Sequence, residues 1–301
     1  MVPRASLVLV LAATLALLGS CARAPELSYP LLDNLGNLHH PITTDSESAQ
    51  RYFDQGLTYA FGFNHYAAIR SFEVCNEVDP VAAMCHWGKA YALGPNINMP
   101  MGPDAAKEAY ATVQLALEAK SAASAAEQAY IDALAKRYSS DPAADRAKLD
   151  RAYAEAMGEV SKKYPDDLDA ATIYAEALMD LNPWNHWDKE GNAVAETPII
   201  VATLEGIMER SPDHLGANHL YIHAVEASKN PGRAEAAADR LAEFAPGAGH
   251  LVHMPSHIYI RVGRYQDAAE INVRAARADE DYFSWCQSQG IYRALYYPHN
   301  V

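Results

Sequence analysis

Cysteine is scarce in this 301-residue chain, four residues in all, and no two have the Cys-x-x-Cys spacing that zinc-thiolate and dithiol redox sites use. The chain also lacks a Gly-x-Ser-x-Gly elbow, a Gly-x-x-x-x-Gly-Lys loop, a dinucleotide-binding fingerprint and a His-Glu-x-x-His motif. Serine hydrolase, nucleotide-dependent and ordinary zincin chemistries are therefore without their residues. Basic residues are few, 24 against 38 acidic, and the formal net charge of -14 leaves no electrostatic footprint for nucleic acid and repels anionic headgroups. No alternation of the strand period persists, and the apolar run over 7–18 is too short to anchor the chain across a bilayer. What remains is a chain that is 50% hydrophobic, enough for one large core or a stack of repeats without a disulfide scaffold.

The first 20 residues read as a signal peptide, with a short basic start at Arg4 and an apolar centre. Leu18-Gly19-Ser20-Cys21 resembles the lipobox of bacterial lipoproteins, which implies that Cys21 is diacylated and becomes the mature N-terminus. Ala22 stands where an inner-membrane retention aspartate would, so the resemblance implies an outer-membrane lipoprotein facing the periplasm or the cell surface. The alternative is an ordinary cleaved signal with an incidental cysteine. Residues 21–45 carry Pro25, Pro30 and Pro41 without helical periodicity and are expected to be a flexible tether. Cys75 and Cys85 fall on facing sides of one helix-to-helix turn and are expected to pair in an oxidising compartment, and Cys286 is expected to be a buried free thiol.

From 46 to 301 the pattern is helical, with Thr44-Asp45-Ser46-Glu47 supplying an N-cap and proline standing between helices. Counting Ala49 as position one, Gly56, Tyr59, Ala68, Phe72 and Pro80 fall at the small, large and helix-stopping positions of the tetratricopeptide repeat, a 34-residue helix pair that stacks on copies of itself. Ala234 and Pro246 repeat that phase when Leu215 is position one. The expected fold is all-α, a tetratricopeptide-like solenoid built as a right-handed superhelix of antiparallel helix pairs. Helices are expected over 104–120, 125–138 and 145–164, and 180–196 is expected to be a long connection packed by Trp184 and Trp187. The end, Leu295-Tyr296-Tyr297-Pro298-His299-Asn300-Val301, reads as the entry to another helix, so a C-terminally truncated chain is expected.

Against this repeat, histidine recurs with purpose. His219 and His223 lie four apart, as do His253 and His257, and each member of the second pair follows its counterpart by 34 residues. Residues four apart share a helix face, so each pair is able to chelate one ion through two ring nitrogens. Glu226 extends the first stripe and His250 the second, as further ligands or as groups that orient the imidazoles. In the tetratricopeptide family these positions line the concave groove, so the rings are expected to face a cavity. Imidazole suits zinc, copper, iron or nickel; an extracytoplasmic setting and the nearby Met254 incline the choice to copper or zinc. One closed site, one three-ligand site with an open position, or two copper sites if His250 and His299 join are all compatible with the spacing. An open position would support a metal-dependent oxidase or hydrolase. The competing readings are a structural polar network and a groove that binds a protein or peptide without metal.

Tyr91-Ala92-Leu93-Gly94-Pro95-Asn96-Ile97-Asn98, His219-Leu220-Tyr221-Ile222-His223-Ala224-Val225-Glu226, His250-Leu251-Val252-His253-Met254-Pro255-Ser256-His257-Ile258-Tyr259 and the terminal Tyr296-Tyr297-Pro298-His299-Asn300 together resemble a group of secreted bacterial tetratricopeptide-repeat proteins over about residues 48–301. The His-Met-Pro-Ser-His segment is the distinctive part. The resemblance implies the fold and an extracytoplasmic location, and brings no activity with it.

Overall fold

The computed structural model describes residues 28–286 and 291–300; the signal segment, the lipobox and Cys21 lie outside them. Among the described residues the chain is all-helical. The first helices are α1 (Glu47–Phe61), α2 (His65–Val78), α3 (Ala83–Ala92), α4 (Pro103–Ala119), α5 (Ala125–Ala135), α6 (Arg146–Lys163) and α7 (Leu168–Met179). They are followed by α8 (Thr197–Arg210), α9 (Leu215–Val225), α10 (Glu235–Phe244), α11 (Gly249–His253), α12 (Pro255–Val262), α13 (Tyr265–Trp285) and α14 (Tyr297–Asn300). Successive helices pack on one another, and α1 also touches α9, which brings the first helix pair onto the helix that carries His219 and His223. No helix among the described residues is long and apolar enough to cross a membrane.

Local chemistry explains the boundaries. The Ser46 hydroxyl accepts from the Ala49 amide and caps α1, and Ser124 and Glu127 form a reciprocal capping box on α5. Asp145 and Asp167 cap α6 and α7 in the same way. Small residues set the spacing of the first pairs. A methyl group on Gly56 would stand 2.7 Å from the Phe72 ring, and one on Gly88 would overlap the same ring, so Phe72 is wedged between α1 and α3. Cys75 and Cys85 are joined across the α2–α3 turn with their Cα atoms 5.5 Å apart, and Cys286 is a buried free thiol.

Two expectations change. Residues 28–45 are not a free tether. Tyr29, Leu35, His40 and Ile42 are buried, and the strap is bonded to the helices at many points. The Leu32 amide donates to Gln55, the Thr43 amide to Glu127 and the His40 ring to Asp169. The prolines there keep the strap extended, and its apolar side chains find a helical surface, which composition alone does not reveal. The connection over 180–196 is non-helical as expected, but its tryptophans divide: Trp187 donates its indole N–H to the Ala224 carbonyl, whereas Trp184 is 54% exposed.

Candidate metal centre

Every residue of α9 is buried, so this is a central helix rather than an amphipathic surface one. Its polar members therefore face the protein interior and need partners there. Asn218 finds them in the Pro212 and His214 carbonyls. His219 and His223 each find one. The His219 Nδ1–H donates to the Phe61 carbonyl at the end of α1, and the His223 Nδ1–H donates to Glu226 Oε1 at 3.1 Å. In each ring Nε2 is buried without a hydrogen-bond partner.

The second histidine segment is a helix broken at its centre. Pro255 has no N–H to give to the preceding turn, so α11 ends at His253 and α12 starts at Pro255. Across this joint His253 and His257 still point together, their Nε2 atoms 2.9 Å apart. Their Nδ1 atoms are engaged behind: His253 donates to Asn272 Oδ1 at 2.9 Å, and His257 to Glu226 Oε2 at 2.6 Å. Met254 is fully buried and serves packing.

Two further histidines complete the cluster. His250, one turn before His253, lies among His219 and His223, and neither of its nitrogens is bonded within the protein. His299 approaches from the C-terminal segment, its Nε2 3.2 Å from that of His253 and 3.3 Å from that of His257. Its placement has a structural cause. Gly249 lacks the side chain that would collide with Asp279 of α13; Asp279 in turn accepts from Tyr292 at 2.9 Å and from Asn300 at 2.7 Å. Asn98, in the loop after α3, donates to the Tyr296 hydroxyl at 3.0 Å and steadies the same segment.

The result is two trios, His219/His223/His250 and His253/His257/His299, each offering nitrogens within 4.8 Å of one another. Ring centroids stand 4.9, 5.1 and 5.9 Å apart in the first and 4.6, 4.9 and 5.3 Å apart in the second. Between trios the separations are hardly larger: 5.6 Å for His223 and His257, 6.0 Å for His250 and His253, 6.1 Å for His250 and His299. The first trio is sealed, with His219, His223 and His250 at 0, 3 and 1% exposure, while His299 is exposed. The rings thus converge on an interior chamber, with His299 as its exposed member.

Electrostatics disfavour charge on five of these rings. Burial, and then the neighbouring imidazoles, hold His219 and His250 well below the ordinary imidazole range and push His253 down to about 3. Burial also lowers His223 and His299. Burial alone would raise Glu226, but hydrogen bonds from His223 and His257 outweigh it and hold the carboxyl well below the usual range. Neutral imidazole with its outer nitrogen bonded and its inner lone pair free is the form that ligates a metal.

Of the residues named by spacing, His219, His223, His250, His253 and His257 come together. Glu226 joins them from behind, with one carboxylate oxygen on His223 Nδ1 and the other on His257 Nδ1. His86 stays apart, against the Pro80 carbonyl, and the Asn96 to Met99 turn is closed on itself by backbone bonds. Spacing gives no sign of Phe63. It is buried in the turn after α1 at φ 55° and packs on three rings, 4.7 Å from His219 and 5.7 Å from both His223 and His250. A left-handed backbone at a non-glycine residue costs about 1–2 kcal/mol, and such strain clusters at functional sites. Trp184, also left-handed at φ 60° and 54% exposed, stands perpendicular to the His223 ring with the centroids 5.4 Å apart. His186 of the same loop is buried with Nε2 unpartnered.

A second group, His40 with Asp167 and Asp169, differs in kind. Asp169 is held between His40 at 2.7 Å and His214 at 3.3 Å; Asp167 accepts from Tyr130 and caps α7. These polar atoms have partners, so the group reads as the latch that fixes the N-terminal strap.

No protein-family model matches the chain, and no curated protein matches it.

Proposed function

We propose that this protein binds a transition metal, copper or zinc, through the paired imidazoles of α9 and α11–α12, and that it is an extracytoplasmic, lipid-anchored protein with a tetratricopeptide-like superhelical fold. The observation that carries the reading is the convergence of His253, His257 and His299, whose Nε2 atoms stand 2.9, 3.2 and 3.3 Å apart. His253 and His257 commit Nδ1 as donor, which leaves Nε2 of each as the acceptor turned toward the other. Two acceptors at that separation repel unless a cation or a proton lies between them. Three nitrogens at ~2.1 Å from a tetrahedral ion stand ~3.4 Å from one another, close to the separations here. The sealed trio of His219, His223 and His250 supports a second ion on a different observation: its nitrogens lie within 4.8 Å of one another and include buried ones without a hydrogen-bond partner. The Cys75–Cys85 bond supports the oxidising location.

Elemental analysis of protein isolated from the periplasm without chelators tests this, alongside the double variant His223→Ala/His257→Ala. About one or two equivalents of a single metal in the wild type, lost from a variant that keeps its helical circular dichroism, is the expected result. Wild-type protein that is metal-free and takes up neither added copper nor zinc would sink the reading. The second reading, a scaffold that binds a protein or peptide, draws on the apolar strip of Ile260, Tyr265 and Val273, exposed on α12 and α13. It requires saturable partner binding by the metal-free protein.

A further inference from the structure

The two trios lie too close together to act as independent sites. Rings of different trios approach to 5.6 Å, inside the 4.6–5.9 Å range found within the trios. They are also mechanically joined: one carboxylate, Glu226, accepts from His223 of the first and His257 of the second. His250 and His253, one from each trio, share a single helical turn of α11. Each ion would have three neutral ligands and a vacant direction.

Charge discriminates among metals. Six imidazoles contribute no negative charge, and Glu226 is the carboxylate bonded to them. Two divalent ions would place four positive charges in a chamber whose inner trio is sealed from water, whereas two monovalent ions would place two. Desolvated charge without compensation is strongly unfavourable. Imidazole is a good ligand for copper, and the low charge load favours its cuprous state.

Resting on the metal-binding reading, we infer that the six imidazoles hold two copper ions as one coupled centre that takes up dioxygen between them as peroxide. Each cuprous ion gives one electron, the two electrons enter dioxygen, the oxygen–oxygen bond falls from double to single, and new copper–oxygen bonds form. No proton is needed. The two positive charges gained by the metals are matched by the two negative charges of the peroxide, so the net charge of the chamber is unchanged. Oxygenation therefore avoids the penalty that divalent ions alone would meet there. His299 is exposed and His257 partly so, while Phe63 packs on His219 and His250 of the inner trio.

The test is anaerobic loading of the full chain with cuprous ion, followed by exposure to dioxygen. The expected product holds two coppers per chain, shows an intense near-ultraviolet charge-transfer band, and is nearly silent in electron paramagnetic resonance because bridged cupric ions couple their spins. Its oxygen–oxygen stretch should shift with heavy-isotope dioxygen. His299→Ala removes an exposed ligand with little risk to folding; it should retain one copper, in the inner trio, and lose both the charge-transfer band and the oxygen–oxygen stretch, because one cuprous ion cannot supply the two electrons that peroxide requires. Two coppers with the full signal of uncoupled ions in the wild type, or bound copper that does not react with dioxygen, overturns the inference while leaving metal binding intact. Failure to bind copper at all, with zinc bound instead, also overturns it; failure to bind either metal removes both readings.

Discussion

At the scale of single residues, the telling fact about each histidine is what stands behind it. His219, His223, His253 and His257 each give Nδ1 to an oxygen, from the Phe61 carbonyl, Glu226, Asn272 and Glu226 again. Those bonds choose the tautomer, and the tautomer turns the Nε2 lone pair inward. Glu226 has the largest share because it fixes one ring in each trio. Glu226→Gln keeps the shape but leaves an amide with one acceptor oxygen where two ring N–H groups must be met, so one imidazole is free to turn or to change tautomer. Outer partners of this kind are worth roughly 10–100-fold in metal affinity. A chelator competition titration should show Glu226→Gln weakened by about that factor with helicity unchanged; affinity equal to wild type would mean that the carboxylate is not what orients the rings. Glu226 was visible in the sequence as the continuation of the α9 stripe, but its place behind the rings was not, because spacing gives the face of a residue and not the atom it offers.

At the scale of helices, the site is as good as the approach of the elements that carry it. The α1 helix must end where its Phe61 carbonyl meets His219, and α1 is positioned against α2 and α3 by the Phe72 ring between Gly56 and Gly88. Gly56→Ala puts a methyl group 2.7–2.9 Å from three atoms of a fully buried ring. Overpacking of this sort costs typically 1–3 kcal/mol, outweighing the gain of about 1 kcal/mol in helix propensity. Urea denaturation should show a lowered midpoint at unchanged slope, and an unchanged or raised midpoint would refute the wedge. This part of the architecture was legible: Gly56 and Phe72 read as small and large packing positions of neighbouring helices, and packing by size leaves a mark in sequence. The strap over 28–45 and the C-terminal approach of His299 were less legible, since both depend on long-range bonds, such as His40 to Asp169 and Asn300 to Asp279, with no local periodicity.

For the molecule as a whole, the six histidines come from three stretches of chain that do not otherwise share a local unit: α9, α11–α12 and the segment after α13. The turn at Phe63 adds a fourth, since it packs on the inner trio. Without a cation the chamber holds repelling lone pairs at 2.9–3.3 Å and buried nitrogens without partners, each worth about 1–3 kcal/mol of lost hydrogen bonding. With a cation the same atoms become cross-links between distant parts of the sequence. Metal that binds the folded chain and not the unfolded one stabilises it by about 4 kcal/mol when free metal is 1,000-fold above its dissociation constant. A helical protein of this length is expected to answer with a rise of several degrees in Tm, and the rise should grow with the logarithm of metal concentration. The gain should be largest where the stretches are tied together, so hydrogen exchange at the His253 to Ile258 joint and in the segment around Tyr296 should slow more on metal addition than exchange in α4 or α5, which lie apart from the chamber. Uniform slowing across all helices would point instead to metal held at scattered surface carboxylates, a plausible fate for a chain of net charge -14, and would separate adventitious binding from a cation that closes the histidine chamber.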